Sequence, residues 1–260
     1  MNKTKEYWLA LGWGSAKWFV HIWVISVLLK NNILIKEVSW TSMWAIIAAA
    51  FALEYTPSEM LDFLDEISFL KLADLSLWEW LIKWNKILKV LDKFYKNKNI
   101  EDLKIPLKII ATDINSWEKI VFTKWNIANA VRSSISLPWV FYPYKHNDLF
   151  LVDWWASENL PISVLDSNNI IAVSVMLGSI LPIKESKTIL WIKFNGLFTK
   201  YEIIQQYFRI INISNENNSI KQAKSLWKNV NLILPDLNKF SYSDFSKYKD
   251  IIKVWENIEI

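Results

Sequence analysis

The sequence predicts an α/β fold with a mainly parallel central sheet, and three observations carry that prediction. The chain opens as strand, helix, strand: an apolar run at residues 7–12, a helical pattern at 15–30 and a second apolar run at 33–39. Such a βαβ start favours parallel pairing, because the crossover helix returns the chain to the same edge of the sheet. The second run passes straight into an Ala-rich stretch, residues 41–53, which reads as a buried helix. The third observation is size: 260 residues, 52% hydrophobic and without cysteine, suit one domain whose core needs no covalent staples.

The later elements follow in order. Thr56-Pro57-Ser58-Glu59 is a helix start with proline at the first helical position, and the pattern stays helical and amphipathic to about Lys98. Residues 105–114 and 119–124 form a hairpin around Asn115-Ser116-Trp117-Glu118. Residues 126–136 are a short helix, and 149–153 and 170–177 are strands. A lysine-rich, variable part at about 196–260 carries a strand at 231–234 and a closing helix near 244–255. The expected organisation is a single domain over 1–260, with the motif-bearing core at about 5–195.

The composition is inverted in one respect: 17 tryptophans stand against four glycines, where glycine ordinarily supplies about 7% of residues. The tryptophans occupy positions at which a backbone needs glycine: Gly12-Trp13-Gly14 after a strand, Trp40-Thr41-Ser42-Met43-Trp44, Asn115-Ser116-Trp117-Glu118, Pro138-Trp139 and Asp153-Trp154-Trp155. The reading adopted is that most of these codons are UGA, written as tryptophan but decoded as glycine. Literal tryptophan is costly there. A Cβ-bearing residue in left-handed backbone costs about 1–2 kcal/mol, and overpacking adds about 1–3 kcal/mol. Summed over Trp13, Trp18, Trp40, Trp44, Trp139, Trp154 and Trp155, this reaches a domain's whole stability of about 5–15 kcal/mol.

With glycine restored, Trp40 to Trp44 becomes G-T-S-M-G, a G-x-S-x-G nucleophile elbow with Ser42 on a sharp strand-to-helix turn. Residues two before and two after the serine lie where strand and helix nearly touch, which leaves no room for side chains. Gly12 to Trp18 becomes G-G-G-S-A-K-G before a helix, a loop whose backbone N–H groups are free to face an anion. A dinucleotide-binding loop also has this form, and Glu37 stands near the place of a ribose-binding acid. That alternative leaves Ser42 unexplained. Residues 149–155 become L-F-L-V-D-G-G, a strand that delivers one carboxylate and then turns away closely.

Taken together, these motifs resemble the patatin-like phospholipase family of lipid acyl hydrolases. The resemblance runs from Trp8 to about Leu165 and includes Leu9-Ala10-Leu11-Gly12, His21-Ile22-Trp23-Val24, Ile110-Ala111-Thr112-Asp113, Ala130-Val131-Arg132-Ser133-Ser134-Ile135-Ser136-Leu137-Pro138, and Asn159-Leu160-Pro161. It implies a three-layer α/β/α patatin-like fold, with Ser42 as nucleophile and Asp153 as its base. Neither His21 nor His146 lies in a motif that delivers a base to an elbow. A carboxylate with an ordinary pKa near ~3.9 is a weak base, so such a dyad depends on close geometry and partial desolvation. The backbone N–H groups of Gly12, Trp13, Gly14 and Met43 would form the oxyanion hole, with Trp40, Trp44, Trp154 and Trp155 as motif glycines. Lys17 matches a basic residue that the family often carries at this point. Asp113, Arg132 and His21 are expected to be structural.

The resemblance implies ester hydrolysis through an acyl-enzyme, with a lipid or acyl-ester substrate and neither cofactor nor metal. The absence of cysteine excludes thiolate metal sites and disulfides, and two histidines make a histidine metal cluster improbable. The +4 charge is compatible with peripheral contact at an anionic membrane surface and does not form a nucleic-acid footprint. The long uncharged run at residues 38–53 is too short to span a bilayer. The amino-terminal residues only faintly imitate a signal peptide, so a cytoplasmic protein at the inner membrane face is expected. A non-catalytic lipid-binding protein is the alternative if the tryptophans are literal.

Overall fold

A computed structural model describes residues 5–12, 19–42, 45–66, 88–136, 142–153, 158–177, 197–237, 239 and 250. Among the described residues, eight strands form one sheet: β1 (Glu6–Leu11), β2 (Leu34–Thr41), β3 (Leu107–Asp113), β4 (Lys119–Phe122), β5 (Tyr144–His146), β6 (Leu149–Val152), β7 (Asn169–Val173) and β8 (Asn229–Ile233). Their order is β5-β6-β3-β2-β1-β7-β8, with β4 pairing β3 off this path. The pairs β1–β2, β1–β7, β2–β3 and β7–β8 are parallel. Antiparallel pairs join β3 to β4 and β6, and β5 to β6. Among the described residues the sheet is accompanied by α1 (Phe19–Lys30), α2 (Ala45–Ala52), α3 (Pro57–Glu66), α4 (Ile127–Ser134) and α5 (Leu197–Ser225), besides a helical stretch at 88–94.

Alternation along the strands sorts side chains into two layers of core. Leu9 and Leu11 of β1 and Ile171 and Val173 of β7 join a cluster with α1, α2 and α3. Ala10, Ile170 and Ala172 point the other way, onto Leu160, Ile162, Leu165 and the Ile220 and Ala223 of α5. Helices therefore cover both faces, which is the three-layer α/β/α arrangement. It explains why β1 and β7 are apolar nearly throughout, as parallel strands buried on both sides must be. α1 and α2 are apolar around almost their whole circumference and are buried accordingly.

Local chemistry fixes the helix starts. Thr56 N–H donates to Glu59 Oε2 at 2.7 Å while Glu59 N–H donates to Thr56 Oγ1 at 3.2 Å, a reciprocal capping box at the entry to α3. Asn126 Oδ1 accepts from Asn129 N–H at 3.0 Å and caps α4. The hairpin expected at 105–124 is present as β3 and β4, with Trp117 in its turn at φ 61°.

Three elements differ from the sequence reading. β7 stops at Val173 instead of Leu177, because Ser174 Oγ accepts from Leu177 N–H at 3.0 Å and turns the chain. β5 carries no apolar run and pairs only through β6. The 29-residue α5 lies in the part read as variable. Among its described side chains the buried ones include the polar Asn212, Glu216 and Ser219, so its second half lacks a clean apolar stripe. Of the helical reading over 57–98, residues 88–94 are helical like α3, and 67–87 lie outside the described residues. The closing helix near 244–255 also lies outside them, apart from Asp250. No helix among the described residues is long and apolar enough to cross a membrane.

Candidate active site

Strand register brings two distant residues to one level. Thr41 of β2 pairs with Ile110 of β3, and Val152 of β6 pairs with Thr112 of the same strand from its other side. The next residue along each chain, Ser42 and Asp153, therefore comes level with Ala111. Ser42 Oγ donates to Asp153 Oδ2 at 2.5 Å, across a sequence separation of 111 residues. Both residues are buried, at 1% and 2% exposure, so this hydrogen bond is shielded from water competition.

Ser42 occupies the turn between β2 and α2 at φ 71°. A serine in left-handed backbone costs about 1–2 kcal/mol, and such strain persists only where surrounding contacts over-determine it. Those contacts are visible. Ser42 N–H donates to Ser134 Oγ at 2.9 Å, and Ser134 Oγ donates to the Ile110 carbonyl at 2.6 Å. Asp153 is fixed from its own backbone, its N–H donating to the Ser136 carbonyl at 2.9 Å. Arg132 donates to Ser136 Oγ and to the Tyr142 carbonyl. Burial lowers the Arg132 guanidinium to about 10, which leaves it charged at neutral pH.

Gly12 ends β1 in a closely packed corner. Its N–H donates to the Val173 carbonyl at 2.8 Å, and its carbonyl lies 3.0 Å from His21 Nε2. A Cβ at this position would stand 3.0 Å from Glu216 Oε1, 3.0 Å from the Val173 carbonyl and 3.2 Å from Leu160 Cδ1, so a side chain fits only if backbone moves. Desolvation holds the fully buried His21 down at about 4, so its ring is neutral at pH 7 and Nε2–H can donate to Gly12. His146 packs elsewhere, 4.0 Å from the Trp125 ring.

Trp40 lies fully buried in β2, edge-on to His21 at 5.5 Å. Its indole Nε1 has no hydrogen-bond partner among the described residues. Trp13, Gly14, Lys17, Met43, Trp44, Trp154 and Trp155 lie outside the described residues. Glu37, the candidate ribose ligand, instead pairs with Lys108 at 3.1 Å and accepts from Asp166 N–H at 3.2 Å. Asp113 caps the β3–β4 turn, accepting from Ser116 N–H and Oγ and from Phe150 N–H, and these bonds hold its carboxyl below the ordinary range.

Sequence reasoning missed the support around the pair. Ser134 and Ser136 stood within the quoted Ser133-Ser134-Ile135-Ser136 run, and three hydroxyls at the end of a helix were the available signal. Asn159 Nδ2 donates to Asn212 Oδ1 of α5, a contact for which no sequence signal existed.

The sequence model described as patatin-like phospholipase matches residues 9–166. Among similar curated proteins, an uncharacterized NTE family protein of Mycobacterium tuberculosis is 27% identical over 164 residues, covering 62% of this chain and 46% of that protein. A protein named lysophospholipase NTE1 from Kluyveromyces lactis is 23% identical over 267 residues, covering 95% of this chain and 18% of its own length. The chain thus spans less than half the length of these relatives. The crystal structure of VipD from Legionella pneumophila matches at a TM-score of 0.50 and 15% identity, over 64% of this chain and 49% of that one.

Proposed function

The chain belongs to the patatin-like phospholipase family, and from that premise we propose that it is a serine hydrolase of lipid acyl esters working through a Ser42–Asp153 dyad. The observation that supports this reading is the buried 2.5 Å contact between Ser42 Oγ and Asp153 Oδ2. In the reaction Ser42 Oγ forms a bond to the ester carbonyl carbon while its proton passes to Asp153. The carbonyl oxygen becomes an oxyanion, held by backbone N–H groups of the Gly12–Gly14 loop and of Met43. Collapse expels the alcohol or lysolipid, which takes the proton from Asp153. Water then gives its proton to Asp153 as it attacks the acyl-enzyme, and the fatty acid leaves as Ser42 regains its proton. Lys17 attracts the substrate's anionic group, and the chain works in the cytoplasm against the membrane surface that holds its substrate.

The same reading takes the motif tryptophans as glycine in the living cell, and the backbone supports it away from the site. Trp117, Trp125 and Trp227 have φ of 61°, 121° and 59°, conformations that glycine adopts without steric cost. Trp227 follows α5, where Lys228 N–H donates to the Ala223 carbonyl at 3.0 Å, the bond of a Schellman motif whose left-handed residue is usually glycine.

Two measurements test the proposal. Peptide mass spectra of the native protein should show glycine at positions 13, 18, 40, 44, 154 and 155; indole at these sites would sink the recoding. The native chain should hydrolyse p-nitrophenyl acyl esters and label covalently with a fluorophosphonate. Ser42→Ala should abolish both, and Asp153→Asn should abolish turnover. Activity that survives Ser42→Ala rules out the dyad.

A further inference from the structure

α5 lies wholly outside the segment that the family model matches, yet its inner face reaches the site. The stripe divides in two. Ile220 and Ala223 rest on Ala10, Leu160, Ile162, Leu165, Ile170 and Ala172, as an ordinary helix rests on a sheet. One and two turns earlier the stripe becomes polar, with Glu216, Asn212 and Ser219 all buried. Of these, Glu216 meets the ends of β1 and β7, where the chain leaves the sheet at Gly12 and Ser174.

Glu216 is the residue here with no evident structural reason to be charged. It is fully buried, and among the described residues no lysine or arginine pairs with it. Its Oε2 accepts from Ser174 Oγ, which itself accepts from Leu177 N–H at 3.0 Å. Its Oε1 stands 3.0 Å from where a Cβ of Gly12 would lie and has no hydrogen-bond partner among the described residues. A buried polar group of this kind costs stability, so an aliphatic side chain would serve the helix better if packing were its only task.

We infer that Glu216 is a positioning residue for the acyl-transfer site, seating Gly12 and so setting the direction in which the oxyanion loop leaves β1. The inference rests on the hydrolase reading above. Three neighbours enclose Gly12: the Val173 carbonyl on its N–H, His21 on its carbonyl, and the Glu216 carboxyl, which fills the place a Cβ would take. Donors to an oxyanion act only if they converge on the atom that gains charge. A loop displaced at its root therefore loses transition-state stabilisation and leaves substrate binding nearly unchanged. Burial pushes the Glu216 carboxyl up to about 8, so near pH 7 it is the neutral acid and sets no negative charge behind the forming oxyanion. Asn212, on the same helix face, ties α5 to Asn159, in the segment that follows Asp153. One helix thus braces both chain segments that flank the dyad.

The test measures kcat and KM for p-nitrophenyl butyrate, and the rate of fluorophosphonate labelling, in the full chain and in Glu216→Gln and Glu216→Ala. Glutamine keeps the shape and the neutral state, so its kcat should stay within about threefold of the parent. Alanine should lower kcat by about 10- to 100-fold, part of the ~10²–10³ that loss of a whole oxyanion donor costs. KM should change less than twofold, and labelling should slow in parallel with kcat. If Glu216→Ala does not fold, Glu216→Leu fills the same volume without the carboxyl and carries the same expectation. A folded alanine or leucine variant with parental kcat overturns the inference, as does a glutamine variant as slow as alanine. A parent chain that neither turns over ester nor labels at Ser42 overturns instead the hydrolase reading beneath it.

Discussion

Two buried titratable groups near Gly12 make the stability of this protein depend on pH in a specific way. Glu216 has an ordinary value of 4.5 raised to about 8, and His21 an ordinary value of 6.5 lowered to about 4, both chiefly by desolvation. Between 4.5 and about 8 the folded chain holds a proton on Glu216 that the unfolded chain has lost, so stability falls by about 1.4 kcal/mol per pH unit. Between about 4 and 6.5 the unfolded chain holds a proton on His21 that the folded chain has shed, so stability rises at the same rate. The two slopes cancel from 4.5 to 6.5. From 6.5 to about 8 only Glu216 acts, and 1.5 pH units at about 1.4 kcal/mol each give a loss of about 2 kcal/mol. Glu216→Gln removes the Glu216 slope: its stability relative to the parent should grow by about 1.4 kcal/mol per pH unit from pH 5, about 2 kcal/mol of it between pH 6.5 and 8, and then level off. Urea denaturation at half-unit pH intervals from 5 to 9 measures the difference, in which all other titrating groups cancel. A parent-to-variant difference constant to within about 0.5 kcal/mol across that range, well below the linkage expected, would refute the claim that burial raises this carboxyl.

Four further outcomes are expected. Ser134→Ala leaves Ser42 N–H and the Ile110 carbonyl without their buried partner, so it should destabilise by about 1–3 kcal/mol and lower kcat with KM unchanged, as read by denaturation and ester kinetics. Trp227→Gly should stabilise the chain by about 1 kcal/mol, because the side chain is 90% exposed and only its left-handed backbone is relieved; a thermal midpoint that does not rise contradicts the glycine assignment there. Gly12→Ala should destabilise and inactivate together, since its Cβ would meet the Val173 carbonyl as well as Glu216; circular dichroism and esterase assays read both. Lys108→Met strips the cation from buried Glu37 and should cost about 3–5 kcal/mol without changing kcat per folded molecule.

The fold was legible where burial imposes a period and illegible where the buried surface is itself polar. β1, α1 and α2 announced themselves because central parallel strands and their covering helices must be apolar on nearly every side. The second half of α5 did not, because the described side chains it buries run Asn212, Glu216, Ser219 before Ile220 and Ala223. Ser42 and Asp153 could be named from motifs, since a strained elbow and a strand-end carboxylate each leave a local signature. Their common level beside Ala111 could not, since it follows from the separate registers of β2 and β6 against β3. The support beneath them was further out of reach: Ser134, Ser136 and Glu216 act through single hydrogen bonds or contacts to partners 92, 17 and 42 residues away. Polar residues of this kind look like solvated surface in a sequence. A site motif therefore discloses the groups that would touch substrate, whereas the groups that hold those in place become visible only once strand register is fixed. Here that second set reaches beyond the family-matched residues 9–166 into α5, so a chain truncated after residue 166 should keep every motif residue and still lose the brace on Gly12.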